Sequence, residues 1–216
     1  MEKILFKLEQ KSEKKWVGSA SYISSISKHY VQKISHFVNV KGIELINGFD
    51  EMTEKLSNFD RTNDRFIITY NGSLYPSQKI EPVLEVIKDL ILFYKNKLDI
   101  EIRFPGLDFD TKQGDRVRIA LKDVMKNVTI TKRIDRNKVL QMQRESNLLL
   151  MISHEGKKGI SSSKLYEYIG MQKPILLFPS DKDIIEKTLN DTGLGIICNT
   201  KQELKEKLNS IILDFI

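Results

Sequence analysis

Six short apolar runs, each bounded by Gly, Pro, Asn or Asp, alternate with six amphipathic segments along most of this chain. The runs are RFIITYNG (65–72), DIEIRFPG (99–106), NVTITK (127–132), NLLLMIS (147–153), KPILLFP (173–179) and GLGIICN (193–199). Runs this short between turn formers read as buried strands. The segments 78–98, 114–125, 135–146, 162–171, 181–192 and 201–215 read as helices. In the first of them Ile80, Val83, Leu84, Ile87, Ile91 and Leu92 recur at helical spacing, with Glu and Lys between them. Strands joined through helices pair in parallel, and a parallel sheet buries both of its faces. The expected fold is therefore α/β, a doubly wound, Rossmann-like parallel sheet with helices on both faces, spanning 36–216. Residues 1–35 offer two helical stretches, 2–13 and 20–34, around KWVGS. They read as a short helical extension that must pack on the sheet domain or on something else. KGIELINGFDE (41–51), with its Asn47-Gly48 turn signal, reads as a connector.

Composition narrows the class. The chain has 216 residues, 40% hydrophobic and 30% charged, the balance of a soluble globular protein. It holds no apolar run of bilayer-spanning length, and its charged start is unlike a signal peptide. A lone cysteine, Cys198 on an apolar run, excludes an internal disulfide and a cysteine-based zinc cluster. The expected location is the cytoplasm. The net charge is +6, but the 35 basic residues are mixed with 29 acidic ones. The densest basic stretch, 121–138, has no interleaved aromatics, so no nucleic-acid partner is expected. A weak attraction to the anionic inner face of a membrane stays open.

Ligands of an open parallel sheet bind beyond the carboxyl ends of its strands, where helix amino termini point free N–H groups. Three loops qualify. YNGSLYPSQK (70–79) brings Gly72, which lets a ligand approach the backbone, and Lys79, a cation at the start of a helix; it matches neither a P-loop nor GxGxxG. SHEGKKGISSSKLYE (153–167) brings serines suited to cap a helix, then Ser163 and Lys164 with unbonded amides at its positive end. Glu167, one turn in, has two readings: an acceptor for the hydroxyls of a sugar diol, or an acid favoured by the helix dipole. FPSDKDIIEK (178–187) reads as a strand and a helix capped by Ser180 or Asp181. The Asp-x-Asp pairs at 108–110 and 181–183 and the His154-Glu155 pair are too common and too sparse to predict a metal site. Ser161, Ser162 and Ser163 form no nucleophile elbow, which argues against a serine hydrolase.

Taken together, the segments resemble the carboxy-terminal, nucleotide-sugar donor domain of a GT-B glycosyltransferase, family 4-like. The most specific piece is SSKLYEYIGMQKPILLF, similar to the family's helix-and-strand signature. YNGSLYPSQKIEPVLEVI resembles the first strand, loop and helix of the nucleotide-binding domain, and DTGLGIICNTKQEL the end of the family's donor site. VNVKGIELINGFDEM is similar to the interdomain connector, which would make 1–35 a remnant of the acceptor-side domain.

The resemblance implies retaining transfer from a nucleotide-diphospho-sugar to a glycan or lipid-linked acceptor, in surface polysaccharide biosynthesis, without cofactor or metal. It places Glu167 on the nucleotide ribose, and Ser162, Ser163 and Lys164 at the diphosphate. Gly72 and Ser73 fall in the loop nearest the donor phosphates, Lys79 becomes the catalytic cation, and Glu155 contacts the donor sugar. The family's usual Arg after the loop glycine is Ser73 here, which leaves that charge to Lys79. Glu155 lies further ahead of Glu167 than the family's paired glutamates do. With the acceptor-binding bulk absent from this sequence, the chain alone is expected to be inactive. The alternative expectation is a non-catalytic nucleotide-sugar-binding subunit, or half of a split enzyme.

Overall fold

The computed structural model describes residues 2–49 and 64–216. In chain order its elements are α1 (Glu2–Val17), β1 (Ile23–Ser25), α2 (Lys28–Val38), β2 (Gly42–Glu44), β3 (Arg65–Thr69), α3 (Glu81–Tyr94), β4 (Asp99–Phe104) and α4 (Thr111–Ala120). There follow β5 (Val128–Ile130), α5 (Arg136–Glu145), β6 (Leu148–Ile152), α6 (Ser163–Gly170), β7 (Ile175–Phe178), α7 (Ile184–Thr192), β8 (Gly195–Ile197) and α8 (Lys201–Phe215). All six apolar runs are strands of one sheet in the order β5-β4-β3-β6-β7-β8, every pair parallel. The chain starts at the centre with β3, moves outward to β5, returns to the centre as β6 and moves outward the other way. That is the doubly wound, Rossmann-like arrangement, with its direction of travel reversing between β3 and β6.

Strand alternation assigns each residue to a face. On one face Ile68, Ile102, Leu150 and Leu176 pack against Val83 and Ile87 of α3 and Leu204 and Leu208 of α8. On the other, Leu149, Met151, Ile175 and Leu177 pack against Leu165 and Tyr168 of α6 and Ile185 and Leu189 of α7. Over β3, β4 and β5 this second face changes character and becomes ionic. Glu101 receives Arg103 Nε at 2.9 Å, Thr129 Oγ1 at 2.9 Å and Arg65 Nη1 at 3.0 Å. Arg103 also reaches Glu145 of α5 at 2.5 Å. Burial works to raise the Glu101 pKa, and the bonds from Arg103, Thr129 and Arg65 outweigh it, so the carboxyl is held below its ordinary range.

The amino-terminal region departs from expectation. The segment 20–34, expected as a helix, contains β1 before α2 begins. Ser27 is extended (φ −152°, ψ 150°) and its hydroxyl accepts the Tyr30 N–H at 3.3 Å, so the cap starts the helix at Lys28. β2 lies in the stretch expected as a connector and pairs in parallel with β1, making a βαβ unit across α2. The division expected at residues 35 and 36 therefore falls inside α2. Residues 50 and 51 of the expected connector lie outside the described residues. Among the described residues, no helix is long and apolar enough to cross a membrane.

Replacing Arg103 with Met would leave the Glu101 and Glu145 carboxylates without their shared cation. The expected cost is about 3 kcal/mol in urea unfolding at pH 7. The cost should shrink as pH falls and Glu101 protonates, because a depressed carboxyl pKa contributes stability only while the group is ionised. An equal loss at pH 7 and at acid pH would contradict this account.

Candidate functional site

The loops that leave β3 and β6 go to helices on opposite faces of the sheet, which opens a cleft at the carboxyl edge. Its volume is about 300 Å³, and it lies between Asn71, Gly72 and Ser73 on one side and the start of α6 on the other. Gly72 takes φ +79° and donates its N–H to Pro105 O at 2.9 Å; a side chain at that φ would be strained although nothing blocks it sterically. Gln78 ties the two loops together. It is buried, its Nε2 donates to Ile152 O at 2.5 Å, and its Oε1 accepts the Tyr75 N–H at 2.9 Å.

The other wall is α6. Ser162 occupies the cap position with extended backbone, yet its hydroxyl makes no capping bond, contrary to the capping role its residue type suggested. The positive end of the helix therefore faces the cleft uncapped by that side chain. Two residues in, the Lys164 ammonium lies 3.7 Å from the centroid of the Tyr70 ring. The Tyr70 hydroxyl is fixed by donation to Ser73 O at 2.8 Å. Burial pushes the Lys164 pKa down to about 7, against the opposing pull of the Glu167 charge. Lys164 is the only lysine or arginine among the described residues lining the cleft.

One turn further along α6, Glu167 is locked by amides from two other elements. Its Oε1 accepts from Gln143 Nε2 of α5 at 2.6 Å and from Asn71 Nδ2 at 3.1 Å. The backbone N–H of Asn71 donates to Tyr168 Oη at 2.7 Å, which fixes the asparagine in turn. Among the described residues, Glu167 Oε2 meets only the Arg136 guanidinium, at 3.5 Å, and that side chain is 71% exposed. His154 lines the cleft with Nδ1 3.4 Å from Ser77 Oγ; burial, then Lys157 and Lys164, lower its pKa. The arrangement offers an anion the helix start and Lys164, and offers hydroxyl groups one free carboxylate oxygen.

Of the residues anticipated from sequence, Gly72, Ser73, Ser162, Ser163, Lys164 and Glu167 all line this cleft. Lys79 and Glu155 do not. They pair with each other at 2.5 Å, with side chains 67% and 56% exposed, on the outer side of the two loops. The reason is local: Gln78 and Ile80 are buried, so the residue between them turns to solvent. The positive charge expected from Lys79 is supplied in the cleft by Lys164. Asn71, Tyr70, Gln78 and Gln143 were missed, since amides and a tyrosine in ordinary loop and helix contexts carry no distinctive spacing. After the third loop the cap position of α7 is Asp183, not Ser180 or Asp181, and its side chain makes no capping bond; the Asp181 carboxylate, two residues earlier, accepts the Ile185 N–H at 2.9 Å and the Glu186 N–H at 3.0 Å. Of the other Asp-x-Asp pair, Asp108 is held by Arg118 at 2.6 Å and Asp110 caps α4.

No family model matches the sequence, and no curated protein matches it. Solved structures do. The HepE protein of Anabaena, in complex with UDP and glucose, superposes with a TM-score of 0.68 at 14% identity, over 95% of this chain and 57% of that one. A glycosyltransferase of Rickettsia africae gives 0.68 at 14%, over 94% and 57%. WaaG, a glycosyltransferase involved in lipopolysaccharide biosynthesis, gives 0.67 at 13%, over 88% and 53%. This chain thus spans little more than half the length of each. What it shares with these GT-B glycosyltransferases is the fold: a six-stranded parallel sheet flanked by helices.

Proposed function

We propose that this chain is the donor-binding half of a glycosyltransferase and that its cleft takes a nucleotide-diphospho-sugar. The observation that carries the reading is the pairing, on one helix end at the sheet's switch point, of a desolvated cation with a locked carboxylate. The diphosphate sits at the start of α6 against the amides of Ser163 and Lys164 and the Lys164 ammonium. The ribose sits on Glu167. Stabilising a departing diphosphate by fixed charge and dipoles is catalysis of the electrostatic kind and needs no metal. Transfer is retaining, to a glycan or lipid-linked acceptor in surface polysaccharide biosynthesis. A further α/β half supplies the acceptor site, from the same polypeptide or another, and the assembled protein works at the inner membrane face. That the similar proteins include one solved with UDP and glucose and one involved in lipopolysaccharide biosynthesis supports this reading. A second reading, a subunit that binds nucleotide sugar without transferring it, is favoured by one observation: Lys79 faces away and Ser73 is neutral, so Lys164 is the only lysine or arginine among the described residues lining the cleft.

Calorimetry with UDP tests the site. Glu167→Ala should weaken binding by about 10- to 100-fold, the worth of a hydrogen bond to a charged group. A folded wild-type protein that binds neither UDP nor GDP would overturn the reading. Lys164 gives a pH signature. In the free protein it is charged below about pH 7 and neutral above, so above that pH each diphosphate must recapture a proton to bind. The affinity ratio of wild type to Lys164→Met should therefore be largest at pH 6 and shrink by pH 9. A ratio that stays constant would place the ammonium outside the phosphate site.

A further inference from the structure

Gln143 is a neutral residue of α5 to which neither sequence pattern nor spacing gave a role. Its side chain is fully buried at 0% exposure, beneath the carboxylate of α6. Nε2 donates to Glu167 Oε1 at 2.6 Å, whereas Oε1 of the same amide has no hydrogen-bond partner. A buried amide with one end unmet costs stability. A leucine or methionine of similar volume would avoid that cost. The structure therefore retains a polar side chain whose only hydrogen bond among the described residues is to the carboxylate in the cleft.

We infer that Gln143 is a positioning residue, which occupies Oε1 of Glu167 and turns a single oxygen, Oε2, toward the sugar hydroxyls of the bound nucleotide. With Gln143 and Asn71 both donating to Oε1, that oxygen is occupied by protein. Oε2 is left with the exposed Arg136 guanidinium at 3.5 Å, which a ribose hydroxyl can displace. The charged and titratable groups around Glu167 are Arg136 on α5 and Lys164 and Tyr168 on α6. None of them bonds Oε1. The inference rests on the nucleotide reading given above.

The test uses the whole chain and two probes, UDP and inorganic pyrophosphate, the latter engaging only the helix start and Lys164. Gln143→Met should lose about tenfold or more in UDP affinity with pyrophosphate affinity unchanged. Gln143→Glu, nearly isosteric, places a second carboxyl against Glu167; while protonated it can still donate to Oε1, and once ionised it repels that oxygen. Relative to wild type, that variant should bind UDP well at pH 5.5 and lose about tenfold or more by pH 8. UDP affinity unchanged in Gln143→Met, pyrophosphate lost in step with UDP, or a Gln143→Glu profile parallel to wild type would each overturn the inference. Failure of the wild type to bind UDP would instead overturn the nucleotide reading, and this inference with it.

Discussion

Where β3 pairs with β6, Ile68 lies beside Leu148 and Thr69 beside Leu149, roughly 4.8 Å apart, and β6 then runs on to Ile152. The chain leaving β3 turns to α3 on one face, and the chain leaving β6 turns to α6 on the other. Two loops that start as neighbours and diverge must leave a gap between them. The cleft is thus a consequence of strand order before any side chain is placed. Side chains then decide what the gap accepts. Gln78 bonds the first loop to Ile152 O, and Asn71 bonds it to Tyr168 and Glu167 of α6, so the two walls are fixed to each other. A site held this way costs little reorganisation when a ligand arrives.

Charge is handled in two different ways within one sheet. Over β4 and β5, Glu101 and Arg103 are mutually satisfied, with Thr129, Arg65 and Glu145 completing the set. Both pKa values move toward the charged forms, down for Glu101 and up for Arg103. At the cleft the balance goes the other way. Lys164 has an aromatic face and a carboxylate nearby but no ion pair, and burial wins, lowering its pKa to about 7. A network that satisfies its charges serves as structure. A desolvated cation with room in front of it is poised for an anion from outside.

The α/β fold was legible because the signal is redundant: six runs and six helical patterns all imply the same sheet, and one ambiguous segment cannot change that. The ionic face was not read, although DIEIRF alternates apolar and charged residues where a strand buried on both faces would not. The amino-terminal βαβ unit was not, because its strands are three residues each and Ser27 rather than an apolar pattern sets where α2 begins. Ser163, Lys164 and Glu167, singled out from the sequence, lie on α6 and line the cleft. Lys79 was chosen for its charge and helix position, but the decision between positions 78 and 79 is made by burial. Gln143 was invisible because its partner lies 24 positions away and the contact depends on how α5 sits against α6.

The loop between β6 and α6 is where the two parts of the chain meet. Gly159 takes φ +75°, and a Cβ there would come within 2.9 Å of His29 Cβ and 3.0 Å of Ser27 Oγ, at the start of α2. On its other side the same residue donates its N–H to Asp183 at 2.6 Å, while Lys158 Nζ donates to Lys182 O at 2.8 Å. The loop is therefore gripped between the βαβ unit and the turn before α7, with glycine required on both conformational and steric grounds. Its next residues, Ile160, Ser162 and Ser163, line the cleft. Any shift of the βαβ unit against the sheet acts first on Gly159, and through it on the residues that present the start of α6 to a ligand. The amino-terminal unit is on this geometry part of the frame that shapes the cleft.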